Sequence, residues 1–385
     1  MKIESLKLKN FRNYDLLKLE FDEATNIFYG DNAQGKTNIL EAVYLSGTTK
    51  SHRGAKDRDL IKFDQNESHI EAIVERNGIN YQIDMHLKKN SPKGIAINKM
   101  PIRKASELFG IVNLVFFSPE DLNIIKNGPS ERRRFVDLEL SQLDKVYLND
   151  LSNYNRIVNQ RNHLLKDMGF GKQQDLMDTL DIWDLQLIQY GTRIIDRRKK
   201  FVEEINEIIS SIHRKLTGGK ENLQVIYEPS NGSLTLEQAL ARNLERDLRI
   251  KSTSVGPHRD DICFMAGDLD IRRYGSQGQQ RTAALSLKLS EIELVKQAIH
   301  DTPVLLLDDV LSELDSNRQN YLLNSIGDIQ TIITCTGLEE FVNNRFEINR
   351  VFKVSAGTVT CVNENMGLKS EPEETPADEY NFGSL

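Results

Sequence analysis

A short glycine-containing segment near the N-terminus has the composition and spacing of a phosphate-binding loop. Gly30-Asp31-Asn32-Ala33-Gln34-Gly35-Lys36-Thr37 matches the pattern GxxxxGK[ST], followed by Asn38. In this pattern the glycines let backbone N–H groups turn inward around phosphate oxygens, the lysine reaches the β- and γ-phosphates, and the hydroxyl ligates Mg²⁺. A strand pattern precedes the loop and a helix pattern follows it, as this chemistry requires. The segment therefore predicts a nucleotide triphosphate site.

A pair of aspartates follows an uninterrupted apolar run and could complete the metal site. Val304–Leu307 is flanked by Pro303 and Asp308, as expected for a buried parallel strand. Asp308 is predicted to hold Mg²⁺ directly or through water, and Asp309 to orient or deprotonate an attacking water. Alone, the pair could equally be turn-forming residues at a strand end. The phosphate loop upstream favours the metal site.

A second candidate anion site lies at Ser276-Gln277-Gly278-Gln279, ahead of a helix pattern. A serine and a glycine at a helix N-terminus can bind an anion, although ordinary helix caps have the same composition. One chain needs only one such site to hold a triphosphate. We therefore expect Ser276, Gly278 and Gln279 to contact the γ-phosphate bound to a second copy, which predicts an ATP-dependent homodimer.

The elements that position these residues fall into four segments. Residues 1–117 show strand alternation with one early helix, and Asn77-Gly78 predicts a hairpin turn because both positions favour positive φ. Residues 118–250 show helical spacing, including two long amphipathic helices joined near Gly169–Gly171, with Ser130 as a candidate N-cap. Residues 251–363 return to short strands and helices. The acidic stretch 364–385 is predicted to be disordered.

Composition limits the class of protein without identifying it. The chain has 385 residues, 39% hydrophobic and 28% charged, and a net charge of −7, so any nucleic-acid binding must use local basic patches. Apolar runs stay far below the ~20 residues of a membrane span, and Met1–Leu6 lacks a signal sequence. Three widely spaced cysteines form neither a disulfide framework nor a zinc motif. These features predict a cytoplasmic protein.

The order of these motifs resembles the head of an ABC-type ATPase, an α/β P-loop NTPase with Walker A, signature, Walker B and D-loop segments. It is most similar to the RecF family, with a helical arm lobe inserted in the head. The segments that carry this resemblance are Leu8–Tyr14, Gly30–Ala42, Ser51–Arg53, Phe117–Leu122, Gly128–Phe135, Val255–Asp261, Tyr274–Arg281, Leu307–Asp309 and Ser312–Asp315.

The resemblance implies ATP and Mg²⁺ as cofactors, an ATP-clamped homodimer, and binding to gapped or single-strand/double-strand junction DNA. It also implies that the protein acts with RecR and RecO type mediators to help load recombinase. By position, Arg12, Asn32 and Asn38 look like further nucleotide contacts. Asp309 and the segment Thr334-Cys335-Thr336 stand where ABC transporters carry a glutamate and a histidine, which favours slow, DNA-stimulated hydrolysis acting as a switch.

Several clustered basic residues are candidates for DNA contact, although for any one cluster a solvated surface is the better interpretation. Phosphate contacts need such side chains but read no base sequence. The candidates are Arg53, Lys56, Lys88, Lys89, Arg132 and Arg133.

Three alternatives remain open from the sequence. An SMC- or Rad50-like head would need longer coiled coils than 130–216 provides. A transporter-associated ATPase without a DNA role would normally carry the switch histidine. A nucleotide-binding scaffold that does not hydrolyse ATP would differ in single-turnover hydrolysis with and without gapped DNA.

Overall fold

The structure is a computed structural model that describes residues 1–167, 173–338 and 348–362, with the backbone alone at 173–176. The predicted junction near Gly169–Gly171 and the predicted disordered stretch 364–385 lie outside these residues.

The N-terminal part builds a six-stranded antiparallel sheet. Its strands are β1 (Lys2–Phe11), β2 (Tyr14–Glu20), β4 (Glu67–Arg76), β5 (Ile79–Lys88), β6 (Ser91–Ile97) and β7 (Met100–Pro101), in the order β2-β1-β4-β5-β6-β7. The hairpin prediction is confirmed, since β4 and β5 pair around Asn77 and Gly78, whose φ angles are 53° and 74°. Alternate side chains of β4 and β5 enter the core and leave a polar outer face.

A second six-stranded sheet brings both ends of the chain together. It contains β3 (Thr25–Tyr29), β8 (Leu114–Phe117), β12 (Val304–Asp308), β13 (Thr331–Cys335), β14 (Arg350–Ser355) and β15 (Thr358–Cys361), in the order β15-β14-β3-β13-β12-β8. Apart from the antiparallel β14–β15 pair, neighbouring strands are parallel. Every residue of β12 is buried, which confirms the predicted buried strand.

Helices cover the two faces of the parallel sheet. Leu306 packs in the same core as Ile39 and Val43 of α1 (Lys36–Thr48), together with the antiparallel sheet. Leu305 and Leu307 pack on the other side with α9 (Gln277–Ile299) and α10 (Ser316–Ser325). Strands buried on both faces are apolar throughout, and this explains why Val304–Leu307 is an uninterrupted run of apolar residues.

The helical region contains α3 (Leu122–Lys126), α4 (Pro129–Leu143), α5 (Lys145–Asp167), α6 (Gln173–Leu216) and α7 (Leu236–Ile250). Helix α4 begins at Pro129 with Gly128 as its N-cap, so the prediction of Ser130 as cap was wrong. The helical spacing of the apolar residues also did not predict that the helix breaks at Asp144. Its carboxylate accepts hydrogen bonds from the backbone N–H groups of Val146 and Tyr147, at 2.8 and 3.1 Å, and starts a new helix.

A small third sheet ties the helical region to the C-terminal third. Strands β9 (Leu223–Glu228), β10 (Asp261–Ala266) and β11 (Leu269–Asp270) pair antiparallel in the order β11-β10-β9. Short α2 (Asp57–Leu60) and α8 (Ile271–Tyr274) complete the helices, with 3₁₀ turns at Ala105–Glu107, Pro119–Asp121 and Leu311–Glu313. None of the helices in the described ranges has the length and apolarity needed to span a membrane.

Candidate functional site

The loop between β3 and α1 adopts a conformation that requires its glycines. Gly30 and Gly35 have φ angles of 150° and 113°, in a region that L side chains rarely adopt. A Cβ at Gly30 would lie 2.3 Å from the carbonyl oxygen of Val354, and one at Gly35 would lie 2.5 Å from Nδ2 of Asn13. The loop therefore needs glycine at both positions for backbone shape and for close packing.

Lys36 lies across this loop with its ammonium group held by backbone carbonyls. Its Nζ donates to the carbonyl oxygens of Gly30 and Asp31 at 2.5 and 2.7 Å, and the residue is buried. Asp31, Asn32 and Ala33 form the exposed rim of the loop. A cation inside a loop at a helix N-terminus creates positive potential where phosphate oxygens would bind.

Two neighbouring turns hold the phosphate loop from outside. Tyr14 donates its hydroxyl to the carbonyl oxygen of Gly35 at 3.1 Å, and Asn13 donates to that of Gln34 at 3.0 Å. Asn38 donates in turn to Oδ1 of Asn13 at 2.8 Å. From the β14–β15 turn, the backbone N–H of Ala356 donates to the side chain of Gln34 at 2.5 Å. The antiparallel sheet and the C-terminal hairpin thus fix the loop together.

The predicted metal ligands meet beside Lys36. Thr37 Oγ1 donates to Oδ1 of Asp308 at 2.8 Å, across 271 residues of sequence. Thr334, at the end of the adjacent strand β13, donates to the same oxygen at 2.7 Å. Hydroxyl and carboxylate oxygens are the donors that Mg²⁺ prefers, and Mg²⁺ keeps several waters in such sites. The oxygens of Thr37 and Asp308 therefore fit a magnesium ion next to a bound phosphate.

Burial raises the pKa of the Asp308 carboxyl above its ordinary value, and the hydrogen bonds from Thr334 and Thr37 offset part of that shift. The charge of Arg53 lowers this pKa further and that of Glu120 raises it. A divalent cation beside Asp308 would favour its ionised form. Arg53, predicted as a DNA contact, thus acts electrostatically on the metal ligand.

Asp309 occupies an unusual backbone conformation directly after the strand. Its φ is 51°, which aspartate tolerates better than most residues, and its N–H donates to the carbonyl oxygen of Thr334 at 3.1 Å. This turn directs the chain away from β12 into the Leu311–Glu313 turn. The position is consistent with a second carboxylate at the rim of the site.

Arg12 is fixed by a buried carboxylate on α1. Its guanidinium donates to both oxygens of Glu41 at 2.8 and 2.9 Å, and Ser51 donates to Glu41 at 2.5 Å. Burial works against ionisation of Glu41, but the hydrogen bonds from Arg12 and Ser51 outweigh it and hold the pKa of this carboxyl below its ordinary value. A third hydrogen bond, to the carbonyl oxygen of Asp59 at 2.8 Å, completes the placement of Arg12.

The second predicted anion site lies at the exposed start of α9. Ser276 caps the helix, accepting from the N–H of Gln279 at 3.2 Å, while Gln279 accepts from the N–H of Ser276 at 2.8 Å. Ser276 and Gly278 are exposed, and Gln279 also donates to Glu221 at 3.0 Å. Among the described residues, no hydrogen bond or ion pair joins this segment to the phosphate loop of the same chain.

The predicted DNA-contacting residues separate into two groups. Arg53, Lys56, Lys88 and Lys89 are exposed. In contrast, Arg132 is 1% exposed and donates to both oxygens of Asp261 at 2.6 and 3.0 Å.

Arg132 thus links α4 to β10 and is not accessible to DNA in this structure. Arg133 is half-buried and donates to the carbonyl oxygen of Asp260 at 2.7 Å. A run of basic residues could not distinguish these arginines from surface ones, because burial depends on partners far away in sequence.

Three residues of the site were not predicted as part of it. Tyr14 supports the loop, Glu41 holds Arg12, and Thr334 holds Asp308. Glu41 lies in the apolar-looking face of the first helix, where a carboxylate is costly unless it is paired. The sequence feature that could have identified Glu41 as part of the site is its place on this apolar-looking face.

Comparison with known proteins identifies a family to which the chain is similar. Residues 2–360 match the family model described as RecF/RecN/SMC N terminal domain. A DNA replication and repair protein RecF from Lachnospira eligens is 64% identical, covering 95% of this chain and all of the relative, and one from Agathobacter rectalis is 64% identical over 94% of this chain.

Solved structures of RecF and Smc proteins are similar to this chain in fold. The recombination mediator protein RecF-ATP of the RecFOR pathway superposes with a TM-score of 0.87, at 39% identity, over 94% of this chain and 97% of that one. An Smc head domain from Pyrococcus furiosus shares only the fold, with a TM-score of 0.54 and 16% identity.

Proposed function

The chain belongs to the RecF family within the RecF/RecN/SMC group, and from that premise we propose that it is an ATP-dependent DNA-repair protein whose two copies close around bound ATP. The observation that carries this proposal is the meeting of Lys36, Thr37 and Asp308 at one phosphate loop, built from both ends of the chain.

ATP would bind with its phosphates in the loop 30–37. Lys36 would exchange the carbonyl oxygens of Gly30 and Asp31 for phosphate oxygens, which carry full negative charge and attract the ammonium group more strongly. Thr37 and Asp308 would hold Mg²⁺, which neutralises charge on the phosphates. Asp309 would orient or deprotonate water, and Arg12, Asn32 and Asn38 would make further contacts with the nucleotide.

The second copy would contribute Ser276, Gly278 and Gln279. Their segment is exposed, begins a 23-residue helix and has no bond to its own phosphate loop within the described residues, so it is available to a nucleotide on a partner chain. A phosphate would replace the reciprocal Ser276–Gln279 bonds with charge-assisted ones. Binding of ATP would therefore favour the closed pair.

Hydrolysis is proposed to be slow and to reopen the dimer. Asp309 has a shorter side chain than the glutamate usual at this place, and Thr334 provides a hydroxyl where many ABC ATPases have an imidazole. Thr334 is already bonded to Asp308, so it supports the metal ligand and does not act as a base. ATP would then act as a switch, in which binding energy selects one state.

Light scattering coupled to size exclusion tests the dimer. We expect monomers without nucleotide and with ADP, and dimers with Mg²⁺ and ATP. A Ser276→Arg chain should still bind ATP but stay monomeric, because a bulky cation fills the partner's γ-phosphate position. The matched control is Ser233→Arg, a substitution of an exposed serine distant in sequence from both loops. Dimers of the Ser276→Arg chain in ATP would contradict the proposal.

On DNA, the protein is proposed to bind gaps and single-strand/double-strand junctions and to help load recombinase with RecR and RecO type mediators. The RecF relatives are named DNA replication and repair proteins, and the solved RecF is named a recombination mediator of the RecFOR pathway. Placing DNA contact on the ATP head would couple closure of the dimer to retention on DNA.

A group of exposed basic residues at the end of β5 and before α2 is the place where we propose that DNA binds. Lys88 and Lys89 are exposed at the end of β5, and Lys56 is exposed before α2. A groove that includes Lys89 and residues of the β1–β2 turn is lined by the basic residues Arg12, Arg58 and Lys62 and by the acidic residues Asp59 and Asp64, among others. Such cations would contact the phosphates of DNA and would not recognise the base sequence.

A double charge reversal, Lys88→Glu with Lys89→Glu, should weaken binding to gapped DNA in ATP and reduce the salt slope of log K by about 1–2. Lys199→Glu with Lys200→Glu makes the same charge change on exposed residues of α6 and should leave binding nearly unchanged. Fluorescence anisotropy across salt concentrations measures both. Loss of binding only in the α6 variant would place the contact on the arm and overturn this part of the proposal.

A further inference from the structure

The solvent face of the β4–β5 hairpin carries two histidines and a glutamate that the ATP site does not use. His69 and His86 are directly opposite each other in the strand register. Glu67 precedes His69 by two residues, so its side chain lies on the same face of the sheet. The three side chains come from one hairpin in the middle of a six-stranded sheet.

The ligand atoms of these side chains converge. His86 Nε2 lies 2.9 Å from Glu67 Oε2, and His69 Nε2 lies 3.9 Å from Glu67 Oε1. The imidazole rings stack with centroids 3.9 Å apart and an angle of 24° between their planes. One nitrogen of each ring and one carboxylate oxygen all lie within 4.8 Å of one another.

We propose that Glu67, His69 and His86 form a binding site for a divalent transition-metal ion of the zinc class. Neutral imidazole and carboxylate suit Zn²⁺, with bond lengths of about 2.0–2.2 Å, whereas Mg²⁺ prefers oxygen ligands. The three ligand atoms lie within 4.8 Å of one another, and the two half-buried imidazole rings would have to turn out of their stacked arrangement to form such bonds together with Glu67. A fourth position would open to water, since Glu67 is 53% exposed.

The local electrostatics suit a metal ligand set. Two stacked imidazoles repel each other when both are protonated, and a shared metal ion removes that repulsion. Lys9 pairs in register with His69 and Lys88 with Glu67, so nearby positive charge limits the affinity to a moderate value.

The site is distinct from the magnesium site in residues, chemistry and location. Its ligands come from one hairpin, and none of them takes part in the contacts of Thr37 or Asp308. A metal ion would join adjacent strands β4 and β5 and would place positive charge on the same strand that ends at Lys88. The metal would therefore stabilise the hairpin and add to its positive surface.

The test uses the full chain saturated with Mg²⁺ and ADP, so that the phosphate loop is filled, and titrates ZnCl₂ by calorimetry. We expect one zinc per chain, with His69→Asn and His86→Asn each lowering the affinity about tenfold or more. His163→Asn removes an exposed histidine of α5 and should bind zinc like the parent chain. Unchanged zinc binding in both variants, or no zinc binding by the parent chain, would overturn the proposal.

Two further measurements distinguish a zinc ion held by histidines from one held by a cysteine thiolate. Co²⁺ in place of Zn²⁺ should give visible absorption without a thiolate charge-transfer band, because exposed Cys361 is not a ligand. Zinc should raise the melting temperature of the parent chain but not of the His86→Asn chain, since binding to the folded state alone stabilises it. A thiolate band that disappears in Cys361→Ser would contradict the histidine site.

Discussion

At the scale of single residues, the nucleotide site is organised by polar groups that are each bonded to a partner. Lys36 is held by loop carbonyls, Thr37 by Asp308, and Arg12 by Glu41. Buried polar groups are costly without such partners. In the proposed site, phosphate oxygens would replace the loop carbonyls at Lys36, and Mg²⁺ would bind to the oxygens of Thr37 and Asp308, while Glu41 would keep Arg12 in place.

Glu41→Gln tests how Arg12 is held. Loss of the carboxylate charge should lower the free energy of unfolding by about 1–3 kcal/mol, the range for hydrogen bonds to charged groups, reduced because Arg12 is 22% exposed. It should also weaken ATP binding, since Arg12 loses its fixed position. Urea unfolding and nucleotide titration measure the two effects, with exposed Glu20→Gln as the control.

The same variant carries a predicted pH dependence. The pKa of Glu41 lies below its ordinary value of 4.5 in the folded chain, so the unfolded chain binds a proton first as the pH falls. The stabilisation is therefore complete above about pH 4.5 and is lost as the pH falls through the lower, folded pKa. The difference between the parent chain and Glu41→Gln should shrink below pH 4.5, and a gap that widens there would contradict the assignment.

Motif spacing predicted that Thr37 and Asp308 would lie together, and their side chains are 2.8 Å apart in the structure. It could not predict that Arg132 is buried against Asp261, 129 residues away. Nor could it predict that Thr334 holds Asp308, since that contact depends on the pairing of β12 with β13. Which polar residue becomes part of a site is decided by the tertiary structure.

At the scale of elements, two sheets cooperate to shape one loop. The β1–β2 turn contributes Asn13 and Tyr14, and the β14–β15 turn contributes Ala356. Local signals predicted the β4–β5 hairpin and the buried strand β12. The pairing of β9 with β10 joins segments about 35 residues apart through α7, and periodicity carries no information about such partners.

The contact between α5, α6 and α7 depends on a buried arginine. Arg161 donates to Asp184 and Asp247, at 2.5 and 2.7 Å, and to Thr253 at 3.1 Å. Arg161→Leu should destabilise the chain by about 3–5 kcal/mol, because the buried carboxylate of Asp247 and the half-buried one of Asp184 would lose the positive charge that pairs with both. Chemical unfolding measures this change.

Exposed Arg156 on the same helix supplies the control, since Arg156→Leu should change stability by less than about 1 kcal/mol. ATP affinity of the Arg161→Leu chain, measured under conditions where it remains folded, should equal that of the parent chain. An equal loss of stability in both variants would show that charge in general, and not the buried network, is responsible.

At the scale of the molecule, the helical arm is short compared with a coiled-coil protein. Helix α5 has 23 residues and α6 has 44, so they extend about 35 and 66 Å at 1.5 Å per residue. Part of α6 packs in the head, where Ile212 shares a core with Leu285 and Leu307. The arm is therefore integrated into the head, which distinguishes the chain from an SMC-like head that continues into long helices.

The proposed dimer requires that each nucleotide contacts two chains. A Lys36→Ala chain lacks the phosphate-loop cation but keeps the start of α9, whereas a Ser276→Arg chain has the opposite defect. Each chain alone should hydrolyse ATP only at background rate, even with gapped DNA.

Mixing the two chains and measuring single-turnover ATP hydrolysis tests this requirement most directly. Each mixed dimer would contain one intact site, formed by Lys36 of the Ser276→Arg chain and Ser276 of the Lys36→Ala chain. Since neither variant should dimerise with itself in ATP, every dimer in the mixture would be mixed and would carry one intact site of two, so the mixture should recover up to about half of the parent activity. A mixture no more active than its two separate, inactive components would contradict a nucleotide site shared between two chains, and so would a Ser276→Arg chain that alone hydrolyses ATP like the parent.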